Sequence, residues 1–348
     1  MKSVGLIFRT AEVAVLHFLK GCKILTANNA FHYYYLFGPV PSRRLGRSLG
    51  VDPVPFKTCT FNCIYCQIGA TTCLTDERMA WVPVADILAE LEHFLEHDGV
   101  IDAITVGGSG EPTLHEGLGE LMDGIIALRA RFYADRPAPR ICLLTNGSLL
   151  YLPEVSAASA KADSVKITFS AANEKIWREL HRHVSTLTYE KALDGLIAFR
   201  AEFAGEIRLE VMVVEGVNAD SDTMRAIAAL TARIHPDKVE LNTVVRPPAE
   251  MLARPVAAER MEELALLFDP PAEVIGVYKG PALEMSNAAP REDAILALIA
   301  RHPSTVEDIA GLLGAEPNVV EAALRSLEAN KRAFTSIVEG RVYYMAMV

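Results

Sequence analysis

Cys59-Thr60-Phe61-Asn62-Cys63-Ile64-Tyr65-Cys66 places three thiols within eight residues, in a C-x3-C-x2-C spacing. Zinc sites more often bring four ligands as two paired C-x2-C units. Here three thiols stand close together and no fourth ligand is evident. Three thiolates on a four-iron cubane leave one iron open to a small molecule. A zinc knuckle, the other reading, needs a fourth ligand from elsewhere. The remaining cysteines, Cys22, Cys73 and Cys142, are scattered. Disulfide frameworks spread their cysteines through small secreted chains, so a cluster of three in a chain of 348 residues points to metal. Cys142 lies in an apolar run and reads as core, and Cys73 reads as a surface thiol in a loop.

Outward from the cysteines, runs rich in β-branched residues alternate with helical stretches. The spacing predicts strands over 49–54, 103–107, 140–145, 164–169, 207–214 and 238–243. It predicts helices over 82–97, 116–133, 153–161, 188–203, 222–234 and 257–267. Ile87, Leu88, Leu91 and Leu95 show the apolar spacing of an amphipathic helix. Such alternation means βαβ units and a parallel α/β sheet, which right-handed crossovers curl into a full or partial barrel. Ligands then sit at the C-terminal ends of the strands. Polar or glycine-rich clusters fall at those ends: Gly107-Gly108-Ser109-Gly110-Glu111-Pro112, Thr145-Asn146-Gly147-Ser148, Ser170-Ala171-Ala172-Asn173 and Asn242-Thr243.

These residues resemble the radical SAM enzymes. Cys59, Cys63 and Cys66 match that family's cluster motif, with the aromatic Tyr65 just before the last cysteine. The segment Val106-Gly107-Gly108-Ser109-Gly110-Glu111-Pro112-Thr113 is similar to its glycine-rich element. The resemblance implies a partial (βα)6 TIM-like barrel over residues 37–280. It implies one 4Fe–4S cluster on the three cysteines, with S-adenosylmethionine chelated at the open iron beside Tyr65. One electron from a donor such as flavodoxin or ferredoxin then cleaves the sulfonium, and the 5′-deoxyadenosyl radical abstracts hydrogen from a substrate. The resemblance sets Gly108, Ser109, Gly110 and Glu111 along the methionine end, Asn146 and Ser170 at ribose or carboxylate, and Val214 and Asn242 beside the adenine. Oxygen sensitivity is the matching expectation. No catalytic acid, base or radical donor is assigned.

A finer resemblance is to a subgroup related to the wyosine tRNA-modifying synthases. It rests on Phe37-Gly38-Pro39-Val40-Pro41-Ser42-Arg43-Arg44-Leu45-Gly46-Arg47, on Gln67-Ile68-Gly69 and on Arg246-Pro247-Pro248. Those synthases carry further N-terminal cysteines for a second cluster, whereas this chain has only Cys22 there. The wyosine reaction is therefore not carried over. Residues 37–66 hold four basic side chains, Arg43, Arg44, Arg47 and Lys57, against one acidic. Near a barrel mouth this cluster would hold a phosphate or carboxylate; alternatively the arginines pair with carboxylates of the acidic body and pin the strand. His181 and His183 read as members of a solvated face, with substrate contact as the sharper option.

The chain is 51% hydrophobic and 22% charged, with a net charge of −10. That composition excludes whole-chain disorder and a uniformly basic, DNA-coating surface. Arg9 and Glu12 interrupt the apolar N-terminal region, and Lys20 stands where a signal-peptidase site needs a small residue. A cytoplasmic protein without a membrane partner is expected, with residues 1–36 as an N-terminal extension. Residues 286–348 read as helices over 292–300, 306–313 and 318–330, then a hairpin over 334–338 and 341–345, the pattern of a small winged helix-turn-helix domain. Glu316 and Glu321, at the start of its candidate recognition helix, would repel phosphates. Docking of a protein, or presentation of a macromolecular substrate, is preferred over nucleic-acid binding. The competing class is a regulator whose cluster senses redox state and whose winged helix binds DNA.

Overall fold

The strands predicted around the cysteine motif form the parallel body of one sheet in the computed structural model. The structure describes residues 33–42, 45–97, 100–275, 292–338 and 340–347. The N-terminal extension up to residue 32, Arg43, Arg44 and the segment 276–291 lie outside the described residues. In chain order the barrel portion runs β1 (Leu36–Ser42), β2 (Gly46–Val51), β3 (Thr58–Cys59), β4 (Cys73–Leu74), α1 (Val84–His97), β5 (Ala103–Val106), α2 (Leu118–Phe132) and β6 (Arg140–Thr145). It continues with α3 (Pro153–Ser159), β7 (Ser164–Thr168), α4 (Glu174–His181), α5 (Tyr189–Glu202), β8 (Glu206–Val213), α6 (Ser221–Ile234), β9 (Lys238–Thr243), α7 (Ala258–Ala265) and β10 (Glu273–Val274).

The main sheet has the order β1-β2-β5-β6-β7-β8-β9-β10. Only β1 pairs antiparallel, against β2; every other pairing in this sheet is parallel. Strand order follows chain order without reversal. Right-handed crossovers therefore set the connecting helices on one face, and strand twist curls the sheet toward an open barrel. Alternation along each strand divides the side chains. Leu143, Val165, Ile167, Leu209 and Val211 are fully buried beneath the helix layer. Leu144, Lys166, Thr168 and Glu210, one residue out of phase, line the cavity inside the curl.

Besides the two-residue strands β3, β4 and β10, β1 and α4 escape the sequence periodicity. β1 contains Gly38, Pro39 and Pro41, which depress strand propensity but are tolerated on a sheet edge. α4 is only eight residues long. Asn173 caps it by accepting from the Ile176 amide, and Trp177, Leu180 and His181 bury its inner face. His181 and His183 are therefore not on a solvated face: they are 0% and 8% exposed.

The C-terminal portion contains α8 (Glu292–Arg301), α9 (Val306–Leu313), α10 (Pro317–Ala329) and the antiparallel pair β11 (Ala333–Val338) and β12 (Arg341–Ala346). Ile295, Ile299, Ile309, Val320, Leu324 and Leu327 form its core, against which Val40 of β1 packs. Thr305 and Asp308 form a capping box at α9. This portion belongs to the same compact unit as the barrel, Tyr35–Val348. Tyr343 donates its hydroxyl to the Val245 carbonyl (2.9 Å), and Arg246 Nε donates to the Pro303 carbonyl (2.9 Å). Among the described residues, no helix is long and apolar enough to cross a membrane.

Inside the curl, Arg208 of β8 donates from Nε to Glu240 Oε1 of β9 at 2.7 Å, and Glu240 is 0% exposed. Breaking one side of a buried pair strands the other charge. Arg208→Met should lower unfolding free energy by about 3–5 kcal/mol, whereas Arg208→Met with Glu240→Leu should recover most of that loss. Chemical denaturation of the three proteins measures both changes.

Candidate functional site

The cysteine loop begins at β3, and its backbone is tied down on two sides. On one side, Glu111 N–H donates to the Thr58 carbonyl (3.0 Å) and Lys57 N–H to the Ser109 carbonyl (2.8 Å). On the other, Asn62 N–H donates to the His181 carbonyl (2.8 Å) and Ile64 N–H to the Leu180 carbonyl (3.0 Å). Asn62 Oδ1 accepts from the Thr71 amide (2.8 Å), closing the loop on itself. Cys59, Cys63 and Cys66 then share the lining of a cavity of about 250 Å³ with Phe61, Tyr65, Gly108, Gly110, Glu111, Leu144, Thr145, Asn146, Lys166, Thr168 and Glu210.

Each sulfur has a side-chain nitrogen from outside the triplet within reach. Asn146 Nδ2 lies 3.7 Å from Cys59 Sγ, His181 Nδ1 3.3 Å from Cys63 Sγ, and Lys57 Nζ 3.1 Å from Cys66 Sγ. His181 Nδ1 also lies 3.1 Å from the Tyr65 hydroxyl, while its Nε2 is buried without a hydrogen-bond partner. Burial pushes the His181 pKa down to about 3, so the ring is neutral at physiological pH. Burial, followed by repulsion from Glu111, pushes the Cys59 thiol up to about 12; burial also holds the Cys63 thiol well above its ordinary value. Burial thus favours the protonated thiols in the metal-free chain, and a bound metal would displace those protons. The donors fit an iron–sulfur group, since they are turned toward sulfurs that gain negative charge on metal binding. The Lys57 ammonium, 3% exposed, has no carboxylate partner among the described residues and so suits an anionic site.

The glycine-rich element fits against this loop because it lacks side chains. A Cβ on Gly110 would lie 2.1 Å from the Thr58 carbonyl oxygen, and one on Gly108 would lie 2.7 Å from Asp52 Cγ. Glu111 is buried, and Thr113, Thr145 and the Asn146 amide all donate to its carboxylate. Burial raises its pKa against the effect of these donors. Its role in the wall is thus to join the glycine-rich element to the end of β6.

Gly108, Gly110, Glu111, Asn146 and Tyr65 all reach the cavity, together with the cysteines. Other sequence-assigned residues do not form its wall. Ser109 turns its hydroxyl to Asp52 and is 1% exposed. Ser170 accepts from the Met212 amide (2.9 Å), bracing β7 against β8. Val214 packs with Ile64, Leu180, Val244 and Ala253. Asn242 stands behind the wall and donates to Glu210 Oε1 (3.2 Å). Arg47 lies at the N-terminal end of β2, away from the glycine-rich strand ends, and pairs with Asp102 (3.0 Å). Of the two readings of the basic cluster, Arg47 follows the carboxylate-pairing one. Cys142 is a core residue of β6, as its apolar setting implies.

The sequence did not place Lys57 or His181 beside the cysteines, reading the first as part of a basic cluster and the second as a solvated face or a substrate contact, and it did not assign the Lys166–Glu210 ion pair. Lys57 lies two residues before the first cysteine and belongs to the basic cluster of residues 37–66. Gly110→Ala should separate the two loops. It should lower the melting temperature of the metal-free chain and reduce iron uptake on reconstitution. Calorimetry and iron analysis measure the two effects.

Residues 54–227 match the family model described as Radical SAM superfamily. A UPF0026 protein of Methanocaldococcus jannaschii is 31% identical over 316 residues, spanning 89% of this chain and 95% of its own. The crystal structure of a radical SAM methyltransferase from Sphaerobacter thermophilus aligns with a TM-score of 0.50 at 19% identity, over 66% of this chain and 65% of that one. The structure of TYW1 with a lysine-pyruvate adduct aligns with a TM-score of 0.47 at 18% identity, over 68% of this chain and 76% of that one. The structural likenesses concern the fold alone. With the family model spanning half the chain and the archaeal relative nearly all of it, the chain belongs to the radical SAM superfamily, enzymes that use S-adenosylmethionine, and within it to the UPF0026 proteins.

Proposed function

We propose that this chain binds one 4Fe–4S cluster through Cys59, Cys63 and Cys66 and uses it on S-adenosylmethionine. The observation that carries the reading is the single cavity shared by the three thiols, Gly108, Gly110, Glu111 and Asn146 at the strand ends. When bound, the pair of cofactors supplies one-electron cleavage of the sulfonium to methionine and a 5′-deoxyadenosyl radical, which takes hydrogen from a substrate. The chain's own part is placement and shelter. Its three thiols lose their protons to iron, with side-chain donors already turned toward the sulfurs. The open backbone at Gly108 and Gly110 admits the methionine end of the nucleoside. Phe61 and Leu144 give the cavity an apolar wall that limits water around a reactive intermediate. Lys166, Thr168 and Glu210 give it a polar end that would meet the polar part of a substrate.

The C-terminal portion is proposed to be a winged-helix-like module that docks a protein or presents a macromolecular substrate. On α10, Arg325 pairs with Glu321 (2.6 Å), which leaves less free positive charge for a DNA-binding edge. A cytoplasmic location and a flavodoxin or ferredoxin as electron source complete the proposal.

Anaerobic reconstitution with iron and sulfide tests it. Under strong reductant the protein should convert S-adenosylmethionine to 5′-deoxyadenosine, and Cys59→Ala, Cys63→Ala or Cys66→Ala should abolish that conversion. An intact cluster with no cleavage would sink the enzyme reading. Tight, salt-sensitive binding to a defined DNA site would favour the regulator instead.

A further inference from the structure

The group on Cys66 differs in kind from that on Cys59. Asn146 offers an uncharged amide at 3.7 Å, whereas Lys57 brings an ammonium to 3.1 Å from sulfur. That ammonium is almost entirely buried, and among the described residues no carboxylate pairs with it. A charge so placed needs an anion. The backbone carries the same message. Lys57 has a φ of +58°, in the left-handed region that a residue with a Cβ enters at a cost. In that conformation its amide donates to the Ser109 carbonyl (2.8 Å) and its carbonyl accepts from the Thr72 and Cys73 amides (3.2 and 3.1 Å). The lysine is therefore fixed between the glycine-rich element and the far end of the cysteine loop.

We propose that Lys57 is a positioning residue that sets the reduction potential of the metal site, through Cys66. The inference rests on the 4Fe–4S reading above. In the step concerned, one electron leaves a flavodoxin- or ferredoxin-type donor, which is oxidised, and enters the cluster, which is reduced; no bond forms or breaks. The site already carries three thiolates, and the electron adds a further negative charge. A fixed cation in a setting of low dielectric favours the more negative form. The Asn146 amide on Cys59 cannot supply that compensation as a full charge.

The experiment uses the full chain, reconstituted anaerobically with iron and sulfide. Cluster content is read from iron analysis and visible absorption. The midpoint potential is read by redox titration followed through the EPR signal of the reduced cluster. Lys57→Met and Lys57→Gln should both shift the midpoint to more negative potential, while Lys57→Arg should stay near the parent protein. Because glutamine keeps a neutral donor, a Lys57→Gln potential equal to the parent's overturns the role of charge. Equal potentials throughout, with clusters intact, overturn the proposal and leave the cluster reading standing. A parent chain that takes up no cluster overturns both. Should the neutral variants take up no cluster, the melting of the metal-free chains decides. Melting like the parent, with a cluster retained by Lys57→Arg, supports charge compensation. Lower melting of the neutral metal-free variants shows that Lys57 serves the fold and overturns the proposal.

Discussion

Backbone hydrogen bonds between the cysteine loop and the end of α4 are the constraint on which the site depends. From Thr60 to Thr72 the loop has no strand or helix of its own. A loop without internal structure cannot hold three thiols in place unless its polar backbone groups are satisfied elsewhere. Here Leu180 and His181 supply the carbonyls, and Thr58 and Lys57 join the other side to the glycine-rich element. The aromatic packing beneath is equally specific. Phe61 meets Trp177 edge-on at 5.4 Å and lies 4.8 Å from His181. Shape and hydrogen bonding thus act together on one short helix.

Electrostatics divides the barrel interior into two regimes. Toward the cysteines, burial works against negative charge, as the raised thiols and the raised Glu111 show. Deeper along the strands, charges are admitted as pairs: Lys166 with Glu210, and Arg208 with Glu240. A (βα) barrel filled by branched apolar layers would have no need of such pairs. Their presence keeps one half of the interior polar while the outer faces of the same strands remain apolar. The C-terminal portion joins this system from outside. Arg301 at the end of α8 donates to Asp52 Oδ2 (3.3 Å), the carboxylate that also holds Ser109, and Gln67 approaches His302 Nδ1 (3.4 Å) just beyond the last cysteine.

Much of this was legible in the sequence, and the rest was hidden for physical reasons. Periodicity located the parallel strands and the C-terminal elements because apolar spacing is a local property. The cysteine spacing located the site for the same reason. His181 carries no such signal. Its short helix has too few residues to establish a face, and its role arises only when Cys63 is brought up from far earlier in the chain. The glycine-rich motif was a coarse guide for Ser109, and strand-end position for Ser170. Being at the correct end of a strand does not say toward which neighbour a hydroxyl turns, and Asp52 and the Met212 amide took them. Arg47 shows the converse limit. It is close in sequence to the motif, yet a strand's length separates it from the end that bears the ligands.

The attachment of the cysteine loop to α4 also bears on the timing of assembly. Cys63 and the His181 beside it are separated by 118 residues of chain. At ordinary translation rates that interval takes about 6–24 s. Throughout it, the emerging thiols have neither their anchoring carbonyls nor their imidazole neighbour. Iron delivered to the growing polypeptide would meet a wandering loop, and iron delivered after release would meet a formed cradle. On the proposed cluster reading, this topology favours closure of the barrel before the arrival of metal.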